Sequence, residues 1–266
     1  MRAYLHAALR DEWDGLDRIN RDLRLADMFT LINALMGLGA LVAASRLAGL
    51  DTAANGIHLA IELVLVGVIM DGVDGAVARL GKGNGPLGGV LDTLADAVTF
   101  VTTSAVVAFL SIYTSTELGN HWYGIGLIVL PMAFYMVCGL LRLARFEALR
   151  DDGKTRQYFS GIPSPAAAVT LLSLVLVKAP AWILLIAAVY IGVLMVSRIR
   201  FPKVRGWGAV ASVVILLSVL VTFPNAELQR IVAWFMLGFM VLYVLIGPFL
   251  VLARHGPGPD LPGMRS

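Results

Sequence analysis

Four aspartates carry the chemistry that this sequence can be asked about. They fall in Asp71-Gly-Val-Asp74-Gly75-Ala-Val-Ala78-Arg79 and in Gly88-Gly-Val-Leu-Asp92-Thr-Leu-Ala-Asp96. Asp71 and Asp74 are three residues apart, and Asp92 and Asp96 are four apart, so on helices each pair shares a face. The segment between them, Gly81-Lys-Gly-Asn-Gly-Pro-Leu87, is short and rich in glycine, which predicts two antiparallel neighbouring helices. Four carboxylates then converge. Left alone they would repel one another and lose hydration. Hard divalent cations with oxygen ligands offset both costs. Four carboxylates suffice to bridge two such ions about 4 Å apart, an arrangement suited to phosphoryl transfer. Gly72, Gly75 and Ala78 keep bulk away from the acids and leave room for a nucleotide, and Arg79 is placed to pair with phosphate. The competing reading, acids paired with arginines at a membrane boundary, suits a single aspartate better than four at this spacing with these glycines.

The elements that must position these residues are membrane helices. Hydrophobic residues make up 58% of the 266 residues and charged ones 15%, against roughly 45–50% and about 25% in soluble domains. The apolar residues lie in blocks near 27–48, 54–80, 88–113, 121–150, 163–178, 180–198, 206–223 and 227–254. The fold class expected is all-α: a polytopic membrane bundle of about eight transmembrane helices over residues 27–254. The fifth and sixth blocks are short and meet at Lys178-Ala-Pro180. With eight spans both ends lie on one side. All but three of the 21 lysines and arginines, the exceptions being Arg46, Lys178 and Arg230, fall at or near that side. The positive-inside rule makes it cytoplasmic and puts the four acids there.

Residues 1–26 lack the continuous apolar run of a signal peptide. Leu5, Leu9, Trp13, Leu16, Ile19 and Leu23 recur at helical steps. They predict an amphipathic juxtamembrane helix, lying in the membrane interface or packed on the protein. The tail 255–266 is rich in Pro and Gly and reads as disordered. Cys138 stands alone, and His6, His58, His121 and His255 have no metal-ligand spacing, so neither a thiolate cluster nor a histidine–zinc site is expected. No nucleic-acid partner is expected.

The acid-bearing segments resemble the signature of the CDP-alcohol phosphotransferase family, Asp-x2-Asp-Gly-x2-Ala-Arg-x8-Gly-x3-Asp-x3-Asp. Asp71, Asp74, Gly75, Ala78, Arg79, Gly88, Asp92 and Asp96 occupy every fixed position. The resemblance implies that Asp71, Asp74 and Asp92 bind metal, and that Asp96 lies at the metals and acts as general base. It also implies two Mg²⁺ or Mn²⁺ ions, a CDP-linked lipid donor held by the Gly72–Arg79 and Gly88 region, CMP as leaving group, and a homodimer. Leu141-Arg142-Leu-Ala-Arg145-Phe146 and Phe159-Ser-Gly161-Ile-Pro163-Ser-Pro165 resemble the phosphatidylserine synthase branch, which points to L-serine as acceptor. Arg142 and Arg145, one turn apart, would hold the lipid phosphate or the serine carboxylate; headgroup snorkelling is the competing reading for each. Gly161, Pro163 and Pro165 read as the structural start of the fifth span. Thr30 and Asn33 resemble polar positions of the branch's first helix and are assigned to CDP-lipid binding. For Asn33, packing between helices competes. The chain departs from the branch at Glu147, where Asn is frequent, and at Ala26-Asp27, where Pro-Asn is frequent.

Two other functions are weighed against serine transfer. One keeps the reaction and changes the acceptor to glycerol 3-phosphate, inositol phosphate or another polyol. Such phosphate-bearing acceptors want a larger basic pocket. The other is a divalent-cation transporter, which predicts acids near the bilayer midplane and often a repeat; here the acids sit at one face and no repeat is visible. Tail contacts are generic apolar surface, so CDP-diacylglycerol and CDP-archaeol are equally compatible donors. Glu62 lies nine residues before Asp71, about 13 Å along a helix, too far to join the same site, and reads as a partner within the bundle.

Overall fold

The computed structural model describes residues 25–47, 53–80, 86–149, 158–202, 207–222 and 225–255. The predicted N-terminal helix, nearly all of the tail and the loop 81–85 lie outside the described residues. The order of elements is α1 (Leu25–Leu47), α2 (Ala53–Leu80), α3 (Pro86–Asp96), a π-helical stretch (Ala97–Thr103), α4 (Ser104–Ser115) and α5 (Trp122–Ala148). Then follow β1 (Tyr158–Ser160), α6 (Ser164–Leu176), α7 (Ala181–Val196), β2 (Arg200–Pro202), α8 (Trp207–Val221) and α9 (Ala226–His255).

Each expected span is a helical segment, as lipid demands of a backbone that must satisfy its own polar groups. Among the described residues five helices are long and apolar enough to cross a membrane: Asp27–Ser45, Gly56–Val77, Gly88–Ser115, Trp122–Ala148 and Glu227–Ala253. Ser164–Leu176, Ala181–Val196 and Ala211–Val221 are shorter apolar helices, so the count of eight full spans is reached only by including them. The shortness of α6 has a physical reason. Ten of its 13 residues are buried, because it packs against α2, α4, α7, α9 and the π-helical stretch. It runs through protein rather than along lipid. The chain is an integral membrane protein with an all-α bundle.

One feature departs from the all-α expectation. The ends that precede α6 and follow α7 pair as a two-stranded antiparallel ribbon, with Phe159 opposite Phe201 and Tyr158 opposite Pro202. The ribbon satisfies main-chain groups where two chain segments meet over the bundle. The Arg200 guanidinium lies 4.7 Å above the Tyr158 ring, and fully buried Phe201 packs with Tyr243 of α9.

The π-helical stretch is where α1, α2 and α5 converge. A Cβ at Gly37 would lie 2.6 Å from Thr99 Oγ1, one at Gly67 2.8 Å from Thr99 Cγ2, and one at Gly139 2.7 Å from Val101 Cγ1. Three helices thus present a glycine to it. Thr99 donates to the Asn33 carbonyl at 2.8 Å and Thr103 to the Gly37 carbonyl at 3.3 Å. Thr102 and Thr103 also donate to carbonyls five residues back, at 2.9 and 2.8 Å. These bonds hold the widened turns open directly after Asp96, a place where such turns commonly accompany function.

Glu62 has a partner in the structure. Gln229 of α9 donates through Nε2 to Glu62 Oε1. Its Oε1 lies 2.7 Å from Nδ1 of His58, which donates. The triad joins α2 to α9 inside the bundle, with Gln229 only 1% exposed.

Candidate active site

Asp71 and Asp74 project from the last turns of α2, and Asp92 and Asp96 from α3. One carboxylate oxygen each of Asp71, Asp74 and Asp92 lies within 4.8 Å of the other two. Asp96 stands outside that triplet but within electrostatic reach of Asp71 and Asp92. All-oxygen donors at this spacing fit a divalent metal ion, and the surroundings orient them as a metal site requires. Thr30 Oγ1, buried on α1, donates to Asp74 Oδ2 at 2.8 Å. Beside the acids Gly72 is exposed, and a Cβ there would meet nothing within 4 Å among the described residues. Gly75 is half-buried and Gly88 buried. Ala78 and Arg79 end α2, and their side chains lie outside the described residues.

Arg142 and Arg145 share a helix but not a role in the geometry. Arg142 is 6% exposed and is, among the described residues, the cation that acts on both Asp71 and Asp96. Its Nη1 donates to Ser164 Oγ at 2.9 Å. Arg145 instead spends its guanidinium on main-chain carbonyls, at 3.0 Å to Val196 and 2.9 Å to Ser160, with Met195 and Ser197 each at 3.4 Å. It closes the carbonyl end of α7 and ties it to β1, satisfying groups that a helix end leaves open.

Asn33 is fully buried one turn beyond Thr30, with neither amide atom hydrogen-bonded among the described residues. It abuts Gly67, whose Cβ would lie 2.7 Å from Asn33 Oδ1. The side chain therefore fits only because α2 carries a glycine there. Two residues at the site have no role assigned from the sequence. Asp27, 1% exposed in the first turn of α1, acts electrostatically on Asp74; a lone acid opening an apolar helix was its signal. Ser164, 1% exposed, donates to Asp96 Oδ2 at 3.2 Å. Only its place between two prolines marked it. Glu147 accepts a bond from Thr93 at 3.1 Å, next to Asp92.

Residues 23–197 match the model of a family described as CDP-alcohol phosphatidyltransferase. A protein of Mycobacterium leprae named CDP-diacylglycerol–serine O-phosphatidyltransferase is 38% identical over 158 residues, 55% of this chain and 50% of that protein. One of the same name from Saccharomyces cerevisiae is 34% identical over 162 residues, 59% of this chain and 53% of that protein. The archaetidylserine synthase of Methanothermobacter thermautotrophicus is 33% identical over 199 residues, 72% of this chain and 75% of that protein. The chain spans about half the length of the mycobacterial and yeast relatives it matches. The matched stretch takes in all four clustered aspartates, Thr30, Arg142 and Ser164, and the chain belongs to the CDP-alcohol phosphatidyltransferase family.

Proposed function

We propose that this protein transfers a phosphatidyl-type group from a CDP-lipid, CDP-diacylglycerol or CDP-archaeol, to the hydroxyl of L-serine, releasing CMP. The observation that carries the reading is the convergence of Asp71, Asp74 and Asp92 beside the exposed Gly72, with Asp96 and Arg142 next to them. The names of the relatives support serine and a CDP-lipid. Asp71, Asp74 and Asp92, with Asp96 adjoining, would hold two Mg²⁺ or Mn²⁺ ions. When bound, such ions supply positive charge against which a pyrophosphate's negative charge is held.

The chain's own residues supply the rest. Asp96 accepts the serine hydroxyl proton. The hydroxyl oxygen forms a bond to the lipid-side phosphorus, and the bond from that phosphorus to the bridging oxygen breaks. The electron pair leaves with CMP. Gly72, Gly75, Ala78 and Gly88 admit the nucleotide, Arg79 pairs with its phosphate, and Thr30 holds Asp74 in orientation. Asn33, a turn beyond Thr30, is assigned with it to the CDP-lipid. Arg142 takes an anionic oxygen of the acceptor or donor. Catalysis of this kind is mostly positioning and charge stabilisation. A phosphate-bearing acceptor is less favoured, because Arg145 is committed to carbonyls and Arg142 is left as the described cation at the acids.

The distribution of basic residues supports a cytoplasmic site and cytoplasmic termini, with residues 1–26 as a juxtamembrane segment and 255–266 as a tail. A homodimer, which the family resemblance implies, belongs to the same proposal. The test is CMP release by the purified protein given CDP-diacylglycerol with serine, glycerol 3-phosphate, inositol phosphate or inositol. Serine is expected to support turnover, EDTA to abolish it, and Mg²⁺ or Mn²⁺ to restore it. Turnover undiminished in excess EDTA refutes the metal reading, and turnover with another alcohol but not serine refutes the acceptor.

A further inference from the structure

We propose that Ser164 is a positioning residue that ties the acceptor's anion site to the base, so that one acceptor's hydroxyl and carboxylate are read together. The proposal rests on the serine reading above. Guanidinium only donates and carboxylate only accepts, so the directions of both bonds are fixed. Arg142 Nη1 gives its hydrogen to Ser164 Oγ at 2.9 Å, and Ser164 gives its own to Asp96 Oδ2 at 3.2 Å. On each side of this bridge one buried polar atom has no partner among the described residues: Arg142 Nε and Asp96 Oδ1. A donor and an acceptor thus stand unused on two residues that a single hydroxyl connects. Leaving such atoms buried is costly, and a ligand with one hydroxyl hydrogen and one anionic oxygen completes both. A hydroxy-amino acid carries that pair of groups, whereas a plain amino alcohol carries only the first.

The bridge is held from behind. Ser164 opens α6 between Pro163 at the N-cap and Pro165 in the first turn, each with its own φ fixed by its ring. Gly161, at φ +80°, donates to the Ile199 carbonyl at 2.8 Å, and a Cβ there would lie 2.2 Å from the Met195 carbonyl oxygen. Arg145 binds the Ser160 carbonyl on the same approach. The chain reaching Ser164 is therefore anchored to the end of α7, and its hydroxyl is placed by the scaffold. Without that hydroxyl Arg142 Nη1 and Asp96 Oδ2 lose their shared partner, and the two groups that would read the acceptor are no longer held at a fixed spacing.

The test compares the full-length wild-type protein with Ser164→Ala and Ser164→Thr in detergent micelles containing CDP-diacylglycerol, with serine or ethanolamine as acceptor. Ser164→Ala is expected to raise the serine KM about tenfold and to lower kcat. The CDP-lipid KM should stay within about twofold, and the preference for serine over ethanolamine should shrink by about tenfold. Ser164→Thr, which keeps the hydroxyl, should recover most of each effect. A residue that merely starts a helix would move stability and not the acceptor preference. CMP binding on the same preparations reports folding. Should Ser164→Ala not bind CMP, Ser164→Cys, similar in size with a weaker hydrogen-bonding group, carries the same comparison. An unchanged serine KM and serine preference in the folded variant, or a Ser164→Thr as impaired as Ser164→Ala, overturns the role of Ser164 and leaves the serine reading standing. A wild-type protein that turns over another alcohol but not serine overturns both.

Discussion

At the scale of single residues the four aspartates divide by their partners. Asp74 is turned by Thr30 toward Asp71 and Asp92, which suits an oriented metal ligand. Asp96 sits apart, with one oxygen on Ser164 and the other unused, which suits a group that must accept a proton. Two predictions follow that distinction. Asp96→Asn should lower kcat by about 10²- to 10⁴-fold, the range for removing a general base, and leave CMP affinity near wild type. Asp71→Asn should weaken metal and CMP binding together. Equal loss of both properties in Asp96→Asn would make it chiefly a metal ligand. Thr30→Val, which removes the hydroxyl and keeps the shape, should raise the Mg²⁺ concentration for half-maximal turnover about ten- to a hundredfold, as losing an outer-shell partner does. A metal titration of CMP release measures it, and an unchanged midpoint would separate Thr30 from the metals.

At the scale of elements the site is a junction of helix ends. α2 and α3 bring acids, α1 brings Thr30, α5 brings Arg142 and α6 brings Ser164. The acids were legible in the sequence because their spacing is local: three and four residues on a helix fix a shared face without knowledge of the fold. Ser164 was not legible, since it meets Asp96 across 68 residues of chain and its type is common. The widened turns after Asp96 were equally hidden, being set by glycines on three other helices. Arg142 and Arg145 looked alike from their spacing, and only the packed end of α7 separates them. That separation gives a prediction. Arg145→Ala strands carbonyls of Val196 and Ser160, each worth about 1–3 kcal/mol if left unsatisfied, so it should lower the thermal unfolding midpoint in detergent. Arg145→Lys should recover little, because a point charge does not reproduce the planar fork. Arg142→Ala should instead raise an acceptor or donor KM. Wild-type stability in Arg145→Ala with a raised KM would reverse the two assignments.

At the scale of the molecule, α8 and α9 stand beyond residue 197, where the family match ends, yet α9 is fastened near its start and again past its middle. Toward its start Gln229 reaches Glu62 and His58 of α2. Further along, Tyr243 donates to the Pro202 carbonyl at 3.1 Å, and Gly247 lies against Pro202 closely enough that a Cβ would be 3.0 Å from its ring. The second contact bears on the ribbon, and the ribbon bears on the segment that places Ser164. A buried carboxylate set apart from the clustered acids thus has a mechanical use: it docks a helix that backs the site's scaffold. The sequence showed Glu62 but not its partner, because 167 residues separate them. Docking predicts coupling between the two. Glu62→Met and Gln229→Leu should each destabilise the protein, and the double variant should lose less than the sum. The coupling should be about 0.6 kcal/mol and up to about 1.7 kcal/mol, the span found for polar pairs between membrane helices. Unfolding in mixed detergent measures it. Mg²⁺ affinity should not change in either single variant, since Glu62 lies about 13 Å from Asp71 along α2. Strict additivity of the two variants would show that the pair does not hold α9, and a shifted Mg²⁺ midpoint would show that Glu62 acts on the metal site after all.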